Sequence, residues 1–212
     1  MPHGLNVRPI FSSVKPLDGA IDQVEVADPT PDGGMPLDKS YATTCGRWVR
    51  TEYLPKSMQW GSRGGARMPD FDNGLIVNVS DRARQVIEDV EPGVHQFVPV
   101  EYESTAGKPL GTRYFLFVGN RIDGVSRLSP GMTLARGIMW IPARDLPPER
   151  RPAGFSDSVQ PQLIFDAAAT GGVHLWVDKH LAFAAIYLSD TLARAITDAG
   201  LTGVELPPIR TI

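Results

Sequence analysis

Leu75-Ile76-Val77-Asn78-Val79-Ser80-Asp81-Arg82-Ala83-Arg84-Gln85-Val86-Ile87-Glu88-Asp89-Val90 changes its hydrophobic period partway along, and that change decides the fold. Leu75 to Val79 is a run of β-formers and predicts a strand. Beyond it, Ala83, Val86, Ile87 and Val90 recur at steps of three and four and share one helical face. Ser80 stands between them as an N-cap, because its hydroxyl can accept one of the N–H groups that a helix start leaves unpaired. Pro92-Gly93 ends the helix. A second stretch repeats the pattern: Ile186-Tyr187-Leu188 leads into Ser189, then Leu192, Ala195, Ile196 and Ala199, with Gly200 as the stop. At the same offset Ile87 matches Ile196, Asp89 matches Asp198, Pro99 matches Pro208 and Val100 matches Ile209. The spacing leaves open whether this is an internal duplication or a common unit used twice. Either way two strand–helix–strand units predict an α+β fold.

Working outward, Val94 to Tyr102 reads as a strand with Val94, Val98, Val100 and Tyr102 on one face, and Pro99 marks it as an edge. Gly107 to Gly111 is a turn, and Arg113 to Val118 is the hairpin partner. Ile122 to Val125 adds a short third strand. Residues 128–161 are rich in Pro, Gly and Arg, with Gly137 to Ile141 as one strand among them. Leu163 to Phe165 and His174 to Val177 read as strands around Gly171-Gly172. Ala184 to Leu188 and Gly203 to Leu206 are the remaining strands. Residues 1–74 are loop-rich: Val24 and Val26 alternate, but Asp28 to Gly34 stops any strand, and Arg47 to Arg50 is a short strand or a helical turn. The expectation is a mixed, mainly antiparallel sheet built by residues 75–212, with residues 1–74 packed on it as part of one structural domain.

The bulk numbers agree with that class. At 212 residues, 42% of them hydrophobic, the chain can bury a core without staples. Nineteen prolines and 21 glycines predict many turns. A single cysteine, Cys45, excludes an internal disulfide and a cysteine-built zinc site. The start of the chain has no basic flank followed by an apolar core, and Leu181 to Leu188 is too short to cross a membrane. The expected compartment is the cytoplasm, with no membrane partner. A net charge of −3 argues against general nucleic-acid binding.

Charge is nevertheless uneven. Asp18, Asp22, Glu25, Asp28, Asp32 and Asp38 fall in one stretch without Lys or Arg, followed by Arg47, Arg50, Lys56, Arg63 and Arg67. Such a stretch is either a solvated loop or an acidic face for a basic partner. Asp22, Glu25, Asp28 and Asp32 are the candidate partner-binding residues. Trp60, in glycine-rich surroundings, joins them as the tryptophan expected at the surface.

Catalytic patterns are missing. There is no Gly-x-Ser-x-Gly, no phosphate-binding loop ending in Gly-Lys-Ser or Gly-Lys-Thr, and no His-Glu-x-x-His. Gly61-Ser62-Arg63-Gly64-Gly65 does not join a strand to a helix and reads as a loop. Asp70-Phe71-Asp72-Asn73-Gly74 begins like a calcium loop, but its glycine comes one place early and a strand follows, so it reads as a turn. His174, Asp178 and His180 lie too far apart along a strand for one metal unless the chain turns at Asp178. Cys45 has no local histidine and reads as a small buried apolar residue. No cofactor, metal site or catalytic residue is assigned.

Four segments carry a resemblance to a known family. Val79-Ser80 leads into a helix, and Gly93-Val94-His95-Gln96-Phe97-Val98-Pro99-Val100 follows. Arg113-Tyr114-Phe115-Leu116-Phe117-Val118 and Ile122-Asp123-Gly124-Val125 come next. The last runs from Ile186-Tyr187-Leu188-Ser189-Asp190 to Ala199-Gly200-Leu201-Thr202-Gly203-Val204. In order and spacing these resemble the eleventh immunity class of bacterial polymorphic-toxin systems, over roughly residues 75–206. The resemblance implies an α+β immunity protein that binds and neutralises a cognate protein toxin in the cytoplasm, with no catalytic residues to carry over. It leaves a homo-oligomer open. The competing readings are an adaptor or assembly protein of a secretion system, and an enzyme whose site gathers His95, Glu101, Asp123 and His174.

Overall fold

The structure, a computed structural model, describes residues 1–7, 14–61, 68–74, 76–181 and 185–212. Its strands and helices are β1 (His3–Gly4), β2 (Asn6–Val7), β3 (Val14–Pro16), β4 (Ser57–Trp60), β5 (Phe71–Asn73), β6 (Val77–Val79), α1 (Asp81–Val90), β7 (Gln96–Ser104) and β8 (Pro109–Phe117). They continue as β9 (Arg121–Ile122), β10 (Met132–Ala135), β11 (Met139–Pro142), α2 (Ala167–Thr170), β12 (Leu175–Asp178), β13 (Ile186–Leu188), α3 (Asp190–Asp198) and β14 (Val204–Glu205). Leu75 and Ala184, expected in strands, lie outside the described residues.

A six-stranded sheet has the order β3-β4-β7-β8-β6-β5, and a four-stranded sheet the order β1-β13-β12-β9. Pairing is antiparallel except for β4 with β7 and β12 with β9. The fold is therefore α+β with mixed, mostly antiparallel sheets, as expected. Both predicted caps form: the Ser80 hydroxyl accepts from the Ala83 N–H and the Ser189 hydroxyl from the Leu192 N–H. Ile87 and Ile196 are buried, and α1 contacts α3.

Alternation along the strands sorts side chains into layers. On β8, Phe115 and Phe117 point to one core, while Leu116 points to the other. The first core also takes Met58, Trp60, Val100 and Tyr102, and Val24, Val26, Ala42, Cys45, Val49 and Leu54 from the N-terminal loops close over it. The second holds α1 and α3 between the two sheets, with Phe71, Val79, Leu175, Val177 and Leu188. On the far side of the four-stranded sheet Trp176 and Tyr187 meet Phe165, Val125 and Trp140. Phe165 stacks edge-on against both Trp176 and Tyr187. β12 is buried along its whole length, whereas β8 is exposed from Pro109 to Thr112 and enters the cores from Arg113 to Phe117.

Several expectations are corrected. β7 is an interior strand, not an edge. Pro99 is tolerated because β4 pairs with β7 only from Glu101 onward, so no neighbour asks Pro99 for an N–H. Ile122 does not extend the hairpin: β9 leaves for the four-stranded sheet and runs parallel to β12. Leu163 to Phe165 forms no strand, and Phe165 makes only single bridges to Val125 and Thr211. Arg47 to Arg50 contributes one bridge, Val49 to Val26. The second strand–helix–strand unit departs from the first, since β13 and β14 join different sheets. Residues 1–74 do more than wrap the core: β3, β4 and β5 are all members of the six-stranded sheet.

Candidate functional site

The groups with the most reactive appearance meet at the C-terminal end of α1. His95 Nε2 lies 2.9 Å from Glu91 Oε2, and both side chains are buried. His95 Nδ1 accepts from the Gly119 N–H, so Nε2 carries the proton and donates it to the carboxylate. Glu91 also accepts from Asn120 Nδ2 and from the backbone N–H groups of His174 and Leu175. Burial alone would raise the Glu91 carboxyl, but these donors outweigh it and hold it below its ordinary range. Every lone pair has a partner, and the pair is closed to solvent. The arrangement ties α1 to the β8–β9 turn and to the start of β12; it offers no free base to a substrate.

The residues of the enzyme reading do not converge. His174 Nδ1 accepts from the Ser189 hydroxyl, which is occupied as the α3 cap. Glu101 is exposed on β7 and accepts from the Thr112 hydroxyl. Asp123 faces Arg127, Lys179 and His180 at the other sheet. The chain does turn at Asp178, whose buried carboxylate accepts from the N–H groups of Gly124, Val125 and His180. His180, however, donates to the Ile138 carbonyl and not toward His174. Cys45 is buried with its thiol on the Ala42 carbonyl, and burial pushes that thiol up, which suppresses the thiolate. Asp70 joins elements: its carboxylate accepts from Ser80 and Thr202. Beside it lies a cleft of about 1010 Å³ lined by Trp60, Arg82, Leu110 and Arg113. Its charged groups are engaged, Arg82 on the Ala199 carbonyl and Arg113 on Asp72. Ser62 to Gly65, of the glycine-rich loop, lie outside the described residues.

The acidic segment forms a strap across the first core. At one end Asp18 accepts from the N–H groups of Lys56 and Ser57. In the middle Glu25 pairs with Lys39 and Arg50, and Val26 bridges Val49. At the other end Arg121 Nε meets Asp32 at 2.7 Å, while its remaining N–H groups reach the Cys45, Met35 and Lys179 carbonyls. Asp32 is thus turned inward. Burial works to raise its carboxyl, but Arg121 and the Gly34 N–H prevail and bring it down to about 2. Asp22 and Asp28 are exposed, and Glu25 is half-exposed.

Trp60 is not on the surface. It lies in β4 at 9% exposure, opposite Ser104 on one side and Val14 on the other, so its ring joins the first core. The exposed tryptophan is Trp48, at 47%, fixed by a 2.9 Å hydrogen bond from its indole N–H to the Val94 carbonyl. It sits beside the strap, because the Trp48 carbonyl accepts from the Ala27 N–H. Sequence reading chose the wrong ring; the alternation of Met58 with Trp60 was the available signal for a strand, and the flanking Arg47 and Arg50 the signal for a surface.

Among the described residues no helix is long and apolar enough to cross a membrane. A model of the Immunity protein family (Imm11) matches residues 19–211. The match takes in the strap and β4, well upstream of the segments that resemble the family by eye. No curated protein matches the chain.

Proposed function

The chain belongs to the Imm11 immunity protein family, and from that membership we propose that it binds a cognate toxin in the cytoplasm and neutralises it by covering it, without catalysis. The family match carries the reading. The saturation of the Glu91–His95 pair supports a binding role, since a base with no open lone pair and no solvent path cannot accept a substrate proton. We place the contact on the strap face. Asp22, Glu25 and Asp28 supply negative charge there, and Trp48 supplies a rigid aromatic anchor of the kind that dominates protein interfaces. Asp32 supports the face from beneath, through Arg121, and Trp60 belongs to the core under it.

The test is a survival assay in which the toxin gene neighbouring this chain's gene is expressed with and without the chain, paired with a binding measurement on the purified proteins. Protection that tracks binding supports occlusion. A His95 or His174 variant that still binds fully yet no longer protects would establish enzymatic immunity instead. A neighbouring locus with secretion-apparatus genes and no toxin would favour an adaptor.

A further inference from the structure

We infer that the β10–β11 hairpin is a docking finger that presents Arg136 to an acidic pocket on the protein partner, an inference that rests on the toxin-binding reading above. The hairpin turns through Ala135 to Ile138, closed by the Ile138 N–H on the Ala135 carbonyl at 3.0 Å. Both central residues are left-handed, Arg136 with φ 54° and Gly137 with φ 72°. Asn-Gly or Gly-Gly fills such a turn with little strain, whereas the Cβ of an arginine crowds the following carbonyl. Among the described residues Arg136 is the one non-glycine residue held at positive φ. Strain of this kind persists where the surroundings impose it, and it concentrates where a side chain has work to do.

The surroundings do impose it. The buried His180 donates from Nδ1 to the Ile138 carbonyl at 2.8 Å, and the Trp140 N–H returns to the His180 carbonyl at 2.8 Å. Arg127 lies over the Trp140 ring, 5.2 Å from its centre. The tip is therefore bolted to the body, and Arg136 is presented on a rigid mount. Among the described residues no hydrogen bond or ion pair engages the side chains of Arg136, Arg144 or Arg150. Between residues 136 and 151, Arg136, Arg144, Arg150 and Arg151 outnumber Asp145 and Glu149, while Arg127 is paired with Asp123. Ile138, 42% exposed, puts an aliphatic contact beside Arg136.

The Met35 N–H of the strap bonds to the Lys179 carbonyl, next to the His180 that holds the finger. Finger and strap are thus anchored to the same turn, at Lys179 and His180. The immunity reading makes the partner a protein, and an unengaged guanidinium on an exposed turn is matched there by a carboxylate.

The experiment compares wild type with Arg136→Asn and Arg136→Gly, using as probe the purified toxin domain encoded beside this chain's gene. Relief of strain should raise Tm in both variants while affinity falls by about tenfold or more. Raised Tm with unchanged affinity removes the finger and leaves the immunity reading standing. Lower Tm in both variants also overturns the finger, since the strain argument then fails. A wild-type protein that neither binds nor protects overturns the immunity reading and the finger with it. Sedimentation and a single-stranded oligonucleotide serve as controls: if Arg136→Asn abolishes self-association or oligonucleotide binding and leaves toxin affinity intact, the occupant is not the toxin.

Discussion

Arg121 and Asp32, 89 residues apart, meet at 2.7 Å with the guanidinium almost completely buried. One side chain thereby fastens the acidic strap to the four-stranded sheet. Arg121→Ala leaves Asp32 without its main partner and the Cys45 and Met35 carbonyls without donors, and should cost about 3 kcal/mol. Cleavage by a protease between residues 18 and 47 should begin before global unfolding, read by mass spectrometry against wild type. Uniform resistance of that segment in the variant would show that the strap is held by other means.

Two carboxyls give stability opposite dependences on pH. Asp32 titrates at about 2 in the fold, below its ordinary 3.8. Its contribution, about 2 kcal/mol, is present above pH 3.8 and is lost as pH falls through about 2. Asp72 is raised to about 6, because burial outweighs the attraction of Arg113. The neutral form is the favoured one, so its contribution is full below pH 3.8 and disappears as pH rises through about 6. In denaturant titrations across this range, Asp32→Asn should flatten only the acid limb and Asp72→Asn only the upper one. An unchanged upper limb in Asp72→Asn would reject the assignment.

Arg113 Nη2 stands 2.9 Å from Asp72 Oδ2, yet the approach is poorly directed, and both Asp72 oxygens, Arg113 Nε and the neighbouring Tyr102 hydroxyl find no hydrogen-bond partner among the described residues. Removing one charge strands the other. Asp72→Leu alone should lose about 3–5 kcal/mol, whereas the double change Asp72→Leu with Arg113→Met should be close to neutral or stabilising. The coupling energy from the double-mutant cycle measures it, and additive losses would refute it.

If the strap steers association, Asp22→Asn, Glu25→Gln and Asp28→Asn together should slow binding to the toxin by roughly tenfold at low salt and flatten its salt dependence. Asp32 stays untouched, because its charge holds Arg121. Tm should change little, since Glu25 pairs with Lys39 and Arg50 at the surface. An unchanged on-rate would move the contact elsewhere.

Ile87 and Ile196 share the core between the sheets at 1% and 2% exposure. Ile87→Ala or Ile196→Ala should each cost about 2–5 kcal/mol, through lost burial and the cavity left behind. Losses below 1 kcal/mol in chemical denaturation would mean that the helices are not packed as described.

What could be read from the sequence was what neighbours decide. Ser80 and Ser189 cap helices whose apolar faces lie within a dozen residues, and each bond is local. The β7–β8 hairpin was legible for the same reason. The N-terminal strands were not, because β3, β4 and β5 span four residues or fewer and gain their pairing from distant partners. Nothing near Asp32 reveals that its partner is Arg121, so it read as one more surface acid. Trp60 was misplaced at the surface for a related reason: its burial depends on β3 and β7, while Trp48 is held exposed by a carbonyl contributed by Val94. In the candidate face, composition located the acidic stretch but gave no sign of which acids point outward.

The pairing of β1 with β13 and of β2 with β14 has a consequence in time. Residues 3–7 leave the ribosome long before their partners and find no strand to join until residues 186–205 have followed. At about 5–20 residues per second that interval is on the order of ten seconds or more. Closure then depends on contacts between nearly opposite regions of the chain, the slow kind to form. A nascent copy therefore lacks a finished body until residues 186–205 have been made, and closure of both pairings is a late step of folding.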